Sequence, residues 1–229
     1  MIVPSNPQQK FDLPKTIPLF PLPGALLLPQ GQLPLNIFEP RYLRMVDDAL
    51  AGARLIGMIQ PVENTGQNIG AGNEGELYEV GCAGRITSFV ESGDGRYLIT
   101  LTGIRRFELA REVKGGAKDA APYRVGEANW DAFEIDAHKD ESAIDVDRDE
   151  FLEIMHDYLE AESLKADGDN IDDAPLDALV ASLAMGCPFA PNEKQALLEA
   201  QTVAERAECL MALMEMSGGE EPGGDQVLQ

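Results

Sequence analysis

One ten-residue stretch, Leu33-Pro34-Leu35-Asn36-Ile37-Phe38-Glu39-Pro40-Arg41-Tyr42, constrains the fold more than any other part of this chain. It holds a strand, a stop and a helix start in immediate succession. Leu33, Leu35 and Ile37 alternate with Pro34, Asn36 and Phe38, the pattern of a strand with one better-buried face. Pro40 has no N–H to give a ladder, and its fixed φ suits the first helical position, so strand should become helix at Glu39-Pro40. Glu39 then lies where the helix dipole favours an anion. Tyr42, Leu43, Met45, Val46, Ala49 and Leu50 follow at helical spacing. They predict a helix whose apolar stripe caps one opening of a barrel.

Residues 1–16 are polar and punctuated by proline, which predicts an extended lead-in before the sheet starts near Ile17. Arg54 to Val62 is a short apolar run, Glu63 to Gly75 a loop rich in Gly and Asn, and Glu76 to Phe89 a strand. Asp94-Gly95 is the pair that two-residue hairpin turns prefer, and Tyr97, Ile99 and Leu101 alternate behind it. Ile104 to Val113 continues as strand, Lys114 to Ala121 reads as loop, and Tyr123 to Phe133 as a last strand containing Trp130. Acids accumulate from Glu134 to Asp147. Four amphipathic helices follow, over 148–165, 175–185, 191–200 and 202–216. The expected organisation is a β-barrel domain over 1–133, an acidic linker over 134–147, a helical bundle over 148–216 and a disordered tail over 217–229.

With Ile17-Pro18-Leu19-Phe20-Pro21-Leu22-Pro23-Gly24 upstream, the opening motif resembles the amino-terminal substrate-binding domain of the ATP-dependent Lon proteases. Further matches occur in order at Val80-Gly81-Cys82-Ala83-Gly84-Arg85-Ile86, Asp94-Gly95-Arg96-Tyr97 and Gly103-Ile104-Arg105-Arg106-Phe107. The last lies at Glu193 to Glu199, with Arg206 and Leu210 beyond it. The resemblance implies an α+β fold, a PUA-like β-barrel with one capping helix followed by a C-terminal α-helical bundle. It also implies binding of an unfolded or degradation-targeted polypeptide, in company with a protease or chaperone. Phe38, Tyr42, Arg105, Arg106 and Phe107 lie on the family motifs and are the candidate polypeptide contacts, although the hydrophobic members are expected to hold the barrel and its helix together. A cleft between barrel and bundle is the expected location.

Charge divides the chain sharply. Residues 1–125 contain 13 Lys+Arg and 13 Asp+Glu, whereas residues 126–229 contain 5 and 27 and carry the whole net charge of -22. A nucleic-acid surface needs a cationic stripe to displace condensed counterions, and an acidic half repels phosphate. RNA binding, known among PUA-like proteins, is therefore the alternative reading, resting on Arg85, Arg96, Arg105, Arg106 and Arg111, which Glu91, Glu108 and Glu112 dilute.

No catalytic constellation, cofactor motif or metal site is evident. There is no G-x-x-x-x-G-K-[ST] loop. Ser163 and Lys165 stand two apart, so on a helix they point to different faces. The expectation is a non-enzymatic, stand-alone recognition module without the ATPase and serine-lysine peptidase modules of Lon. Gly70 to Gly75 matches G-x-G-x-x-G but opens a strand, so no helix amino terminus would meet a pyrophosphate. Asp167 to Asp173 fails the EF-hand spacing at Ile171, Asp172 and Ala178. His138 and His156 have no H-E-x-x-H partner, and Cys82 has no neighbouring histidine to lower its pKa. Cys82, Cys187 and Cys209 lack a C-x-x-C pair, and the amino terminus has no signal pattern, which together predict reduced thiols in a cytoplasm. The longest apolar run, Leu22 to Leu28, is far short of a membrane span. The Met-rich stretch Met211, Met214 and Met216 fits one packed stripe better than an adaptable surface.

Overall fold

A computed structural model describes residues 13–62, 75–113, 121–137, 146–164 and 174–218. The expectations for residues 1–12 of the amino-terminal lead-in, for the loops over 63–74 and 114–120, for His138 and the acidic linker over 138–145, for Lys165, for Asp167 to Asp173 and for the tail over 219–229 lie outside the described residues. Six strands form one mixed sheet: β1 (Thr16–Pro21), β2 (Gln32–Ile37), β3 (Leu55–Pro61), β4 (Leu77–Glu91), β5 (Tyr97–Glu112) and β6 (Arg124–Asn129). β1 pairs with β3 in parallel, and the remaining pairings are antiparallel. Because β6 pairs with both β1 and β5, the ladder returns on itself through β5, β4, β3, β1 and β6. β2 pairs along the first six residues of β5, opposite Tyr97 to Thr102. All seven residues of β3 are buried between its two neighbours, which is why its sequence is apolar on both faces apart from Gln60.

The strand-to-helix switch occurs where Pro40 demands it. α1 (Pro40–Ala51) begins with the proline in its first turn, and the Glu39 carbonyl accepts from the N–H groups of Tyr42 and Leu43. Its buried face, Tyr42, Met45, Val46 and Ala49, packs on β1 and β3, with the Tyr42 ring 4.4 Å from that of Phe20. Asp94-Gly95 does not form a two-residue turn. The Ser92 carbonyl accepts from Gly95 and the Ser92 N–H donates to Arg96, leaving a three-residue loop with Gly95 at φ +79°. That left-handed φ is open to glycine without a Cβ clash.

β6 ends at Asn129, before Trp130, and Asp131–Ala137 forms a short 3-10 stretch broken at Phe133. The alternation read through Phe133 is interrupted because Phe133 is buried and its carbonyl accepts from Nε of Arg105, 3.0 Å away. Four helices follow: α2 (Arg148–Ala161), α3 (Leu176–Gly186), α4 (Pro191–Glu199) and α5 (Val203–Gly218). Asp147 starts α2 by accepting the N–H groups of Asp149 and Glu150 on its side chain, a filled N-cap. α2, α3 and α4 each pack on α5, and α4 also packs on β4.

One apolar core runs through sheet and helices, from Ile56, Ile86 and Leu101 past Met45 to Phe151, Leu179, Leu197 and Leu210. A smaller cluster of Ile17, Leu19, Ile59, Ala83, Phe107 and Ala128 lies inside the strand circuit, covered by Trp130. Leu210 and Met214 are in the core, Met211 and Leu213 are half-buried, and Met216 is exposed.

Candidate functional site: a cleft between sheet and helices

The site is built on two inward-facing arginines. β5 delivers Phe107 to the interior cluster, while Arg106 beside it, only 2% exposed, reaches the turn between α4 and α5. Its Nε and Nη2 meet the Asp136 carboxylate at 2.9 and 2.8 Å, and its backbone N–H donates to the same carboxylate at 2.9 Å. Nη1 donates to the carbonyls of Leu198 and Ala200, and Nη2 also to that of Gln201. From α5, Arg206 donates Nε to the Leu197 carbonyl at 2.8 Å and Nη2 to that of Ala200 at 3.1 Å. The last carbonyls of a helix have no intrahelical donors and carry the negative end of its dipole, so two cations there satisfy both needs. Burial, and then the Arg106 charge, lower Arg206 to about 10, which leaves it charged at neutral pH. Burial also pushes the nearby Cys82 thiol well above its usual range, which disfavours the thiolate form.

Above this floor opens a cleft of about 1150 Å³. One wall is the segment Leu28 to Gly31 with Leu33 and Pro34 of β2; the other is α3, through Ala178, Ala181, Ser182 and Met185. Gln201, Thr202 and Val203 before and at the start of α5, with Ile135, Val146 and Arg148, complete the lining. A Cβ on Gly31 would run into Sδ of Met185, so the two walls touch there.

A second, smaller hollow of about 360 Å³ lies on the outer face of β2, β5 and β4, lined by Pro34, Asn36, Leu98, Thr100 and Val90. Phe38, 62% exposed, extends this apolar face, with the Arg96 guanidinium 5.9 Å from its ring.

The five candidate contacts do not share a surface. Phe38 is exposed at the end of β2, Tyr42 is buried under α1, and Phe107 has no exposed surface at all. Arg105 is half-buried on the Phe133 carbonyl. Of the five, Arg106 alone lines the cleft, with its donors already committed. The α3 wall was not singled out from sequence; its signal is the run of small residues Ala178, Ala181 and Ser182 beside the apolar stripe. Among the described residues no group of His, Cys, Asp and Glu could hold a metal ion, and no helix is long and apolar enough to cross a membrane.

The family model of the ATP-dependent protease La (LON) substrate-binding domain matches residues 16–216. The chain belongs to that family. Curated relatives of this LON substrate-binding domain include Lon protease 2 of Myxococcus xanthus, 27% identical over 114 residues, which are 50% of this chain and 13% of that protein. Lon protease 2 of Sorangium cellulosum is 30% identical over 95 residues, 41% of this chain and 11% of that protein. The match therefore spans about an eighth of those relatives. The fold is that of the Lon N-terminal domain protein from Xanthomonas campestris, with TM-score 0.57 at 23% identity, covering 86% of this chain and 97% of that one. The N-terminal domain of Mycobacterium avium complex Lon protease gives TM-score 0.58 at 17% identity, covering 88% and 98%. Within this LON domain the motif residue Arg106 clamps the α4–α5 turn beside the cleft.

Proposed function

We propose that this LON substrate-binding domain is a non-enzymatic polypeptide-recognition module that grips extended apolar segments in the cleft between sheet and helices. The observation that carries this reading is the cleft itself, open and walled by Leu33, Ala181, Met185 and Val203 in a chain of this family. Apolar side chains set among polar ones suit a ligand that offers hydrophobic side chains together with polar groups of its backbone. The closed strand circuit is the PUA-like barrel, and α1 is its capping helix. The ligand is an unfolded or degradation-marked polypeptide, and a protease or chaperone in the same cytoplasm supplies the chemistry or the force.

The RNA-binding alternative needs arginines available to phosphate. Those of the β4–β5 loop, β5 and β6 are engaged: Arg96 with Asp94, Arg106 with Asp136, Arg111 with Glu127 and Arg124 with Glu112, and Arg105 holds a carbonyl. Phosphate would have to displace carboxylates, which favours the polypeptide reading.

Calorimetric titration with an unfolded polypeptide and a folded control tests the proposal. The expected result is selective binding of the unfolded partner that changes little between about 50 and 200 mM salt. Equal affinity for both, or a steep loss with salt together with RNA binding, would overturn it.

A further inference from the structure

The two arginines on the cleft floor use their hydrogen-bonding capacity unequally. Arg106 has an acceptor for each of its five N–H groups. Arg206, 6% exposed, donates from Nε and Nη2, and its Nη1 has no acceptor among the described residues. Since no fully buried side-chain nitrogen among the described residues lacks a partner, Nη1 keeps some accessible surface, and Arg206 is one of the residues that line the cleft.

The backbone around it has the same sign. The first turns of α3 and α5 both border the cleft, at Leu176 to Ala178 and at Thr202 and Val203. Thr202 Oγ1 takes the Glu205 N–H at 3.1 Å, but the N–H groups of Val203 and Ala204 have no intrahelical acceptor. Arg106, Arg148 and Arg206 line the cleft against Asp136 and Asp177, a cationic balance within residues 126–229, where 27 acids face 5 bases, and on β5 beside them. Asp136 is already occupied by Arg106. An anion at Nη1 would complete the bonding of Arg206 and offset the repulsion between the two guanidinium groups.

We propose that the cleft contains a carboxylate subsite, formed by Nη1 of Arg206 and the first turn of α5, that takes a carboxylate of the bound polypeptide. This rests on the polypeptide reading and names the polar half of what the cleft recognises. The apolar walls hold the chain, and the floor selects a segment that ends in a carboxylate or carries one.

The test uses the full chain in two arms. In the first, sodium acetate is titrated while backbone amide signals are followed by NMR. Saturable shifts are expected at Val203 and Ala204, and their loss in Ser182→Glu, which places a competing carboxylate on the exposed α3 wall without touching the core. In the second, three short Leu-, Ala- and Ser-containing peptides are compared: free C-terminal acid, C-terminal amide, and amide with one internal Glu. A carboxylate peptide should bind about tenfold tighter than the plain amide, and which of the two does so identifies a chain terminus or a side chain as the source. Equal affinity of all three peptides, with no acetate response at α5, would overturn the subsite and leave the polypeptide reading standing. Acetate binding without any peptide binding would overturn the polypeptide reading, since the pocket would then serve a free carboxylate.

Discussion

The guanidinium of Arg106 and the carboxylate of Asp136 meet side-on, Nη2 to Oδ1 at 2.8 Å and Nε to Oδ2 at 2.9 Å, where neither side chain is more than 7% exposed. Because the same guanidinium holds the carbonyls of Leu198, Ala200 and Gln201, it joins β5, the 3-10 stretch and the α4–α5 turn at one point. The floor of the cleft is therefore fixed by a structural ion pair that has little capacity left for a ligand.

Removing one partner of a buried pair strands the other charge. Asp136→Ala should lower unfolding free energy by about 3–5 kcal/mol, measured by urea denaturation. Arg44→Ala, which breaks the exposed pair with Asp48, should cost under about 1 kcal/mol. Similar costs for the two would contradict the role given to Arg106.

Gly103 sits where β5 passes the backbone of Leu28 and Pro29, and a Cβ there would collide with the Leu28 carbonyl oxygen. The backbone cannot yield as a flexible side chain would. Gly103→Ala should destabilise by about 1–3 kcal/mol or more. Gly93→Ala, in the open hairpin loop and without a left-handed φ, should stay within about 0.5 kcal/mol of the parent.

Tyr123 donates its hydroxyl to Oδ2 of Asp48 at 2.8 Å, and burial, then that bond and the Asp48 charge, push its ionisation up to about 12. The folded state keeps a proton that the unfolded chain loses near pH 10. The contribution is thus complete below about pH 10 and is lost as pH rises toward 12. Urea midpoints at about pH 9 and pH 11 should fall further in the parent than in Tyr123→Phe. Parallel falls would show that Tyr123 does not titrate this way.

Ala181→Trp would fill the cleft from the α3 wall, where the residue is only half-buried. Binding of an unfolded polypeptide should weaken at least about tenfold while the thermal midpoint changes little. Leu98→Ser, on the outer hollow, should leave binding unchanged. The opposite pattern would move the site to the outer face.

What was legible in the sequence is what local chemistry decides. Pro40 fixes the strand-to-helix switch through its own φ and missing N–H, and the β3 run declares its burial by carrying apolar residues on both faces. The end of β6 was not legible, because Phe133 leaves the strand pattern only under contacts from β5. The hairpin loop gained a residue because Ser92, and not Asp94, closes it. Arg106 stood out as a motif residue, but its inward course depends on carbonyls more than 90 residues away in the chain. The α3 wall was hidden for a related reason: small residues at a cleft have no periodicity of their own.

Site-specific photo-crosslinking to an unfolded polypeptide tests the central claim most directly, with the crosslinker placed in turn at Ser182 on the cleft wall, Val90 on the outer hollow and His156 on the exposed face of α2. The account predicts adducts from Ser182 and essentially none from the other two. Adducts from Val90 or His156 with none from Ser182 would contradict it.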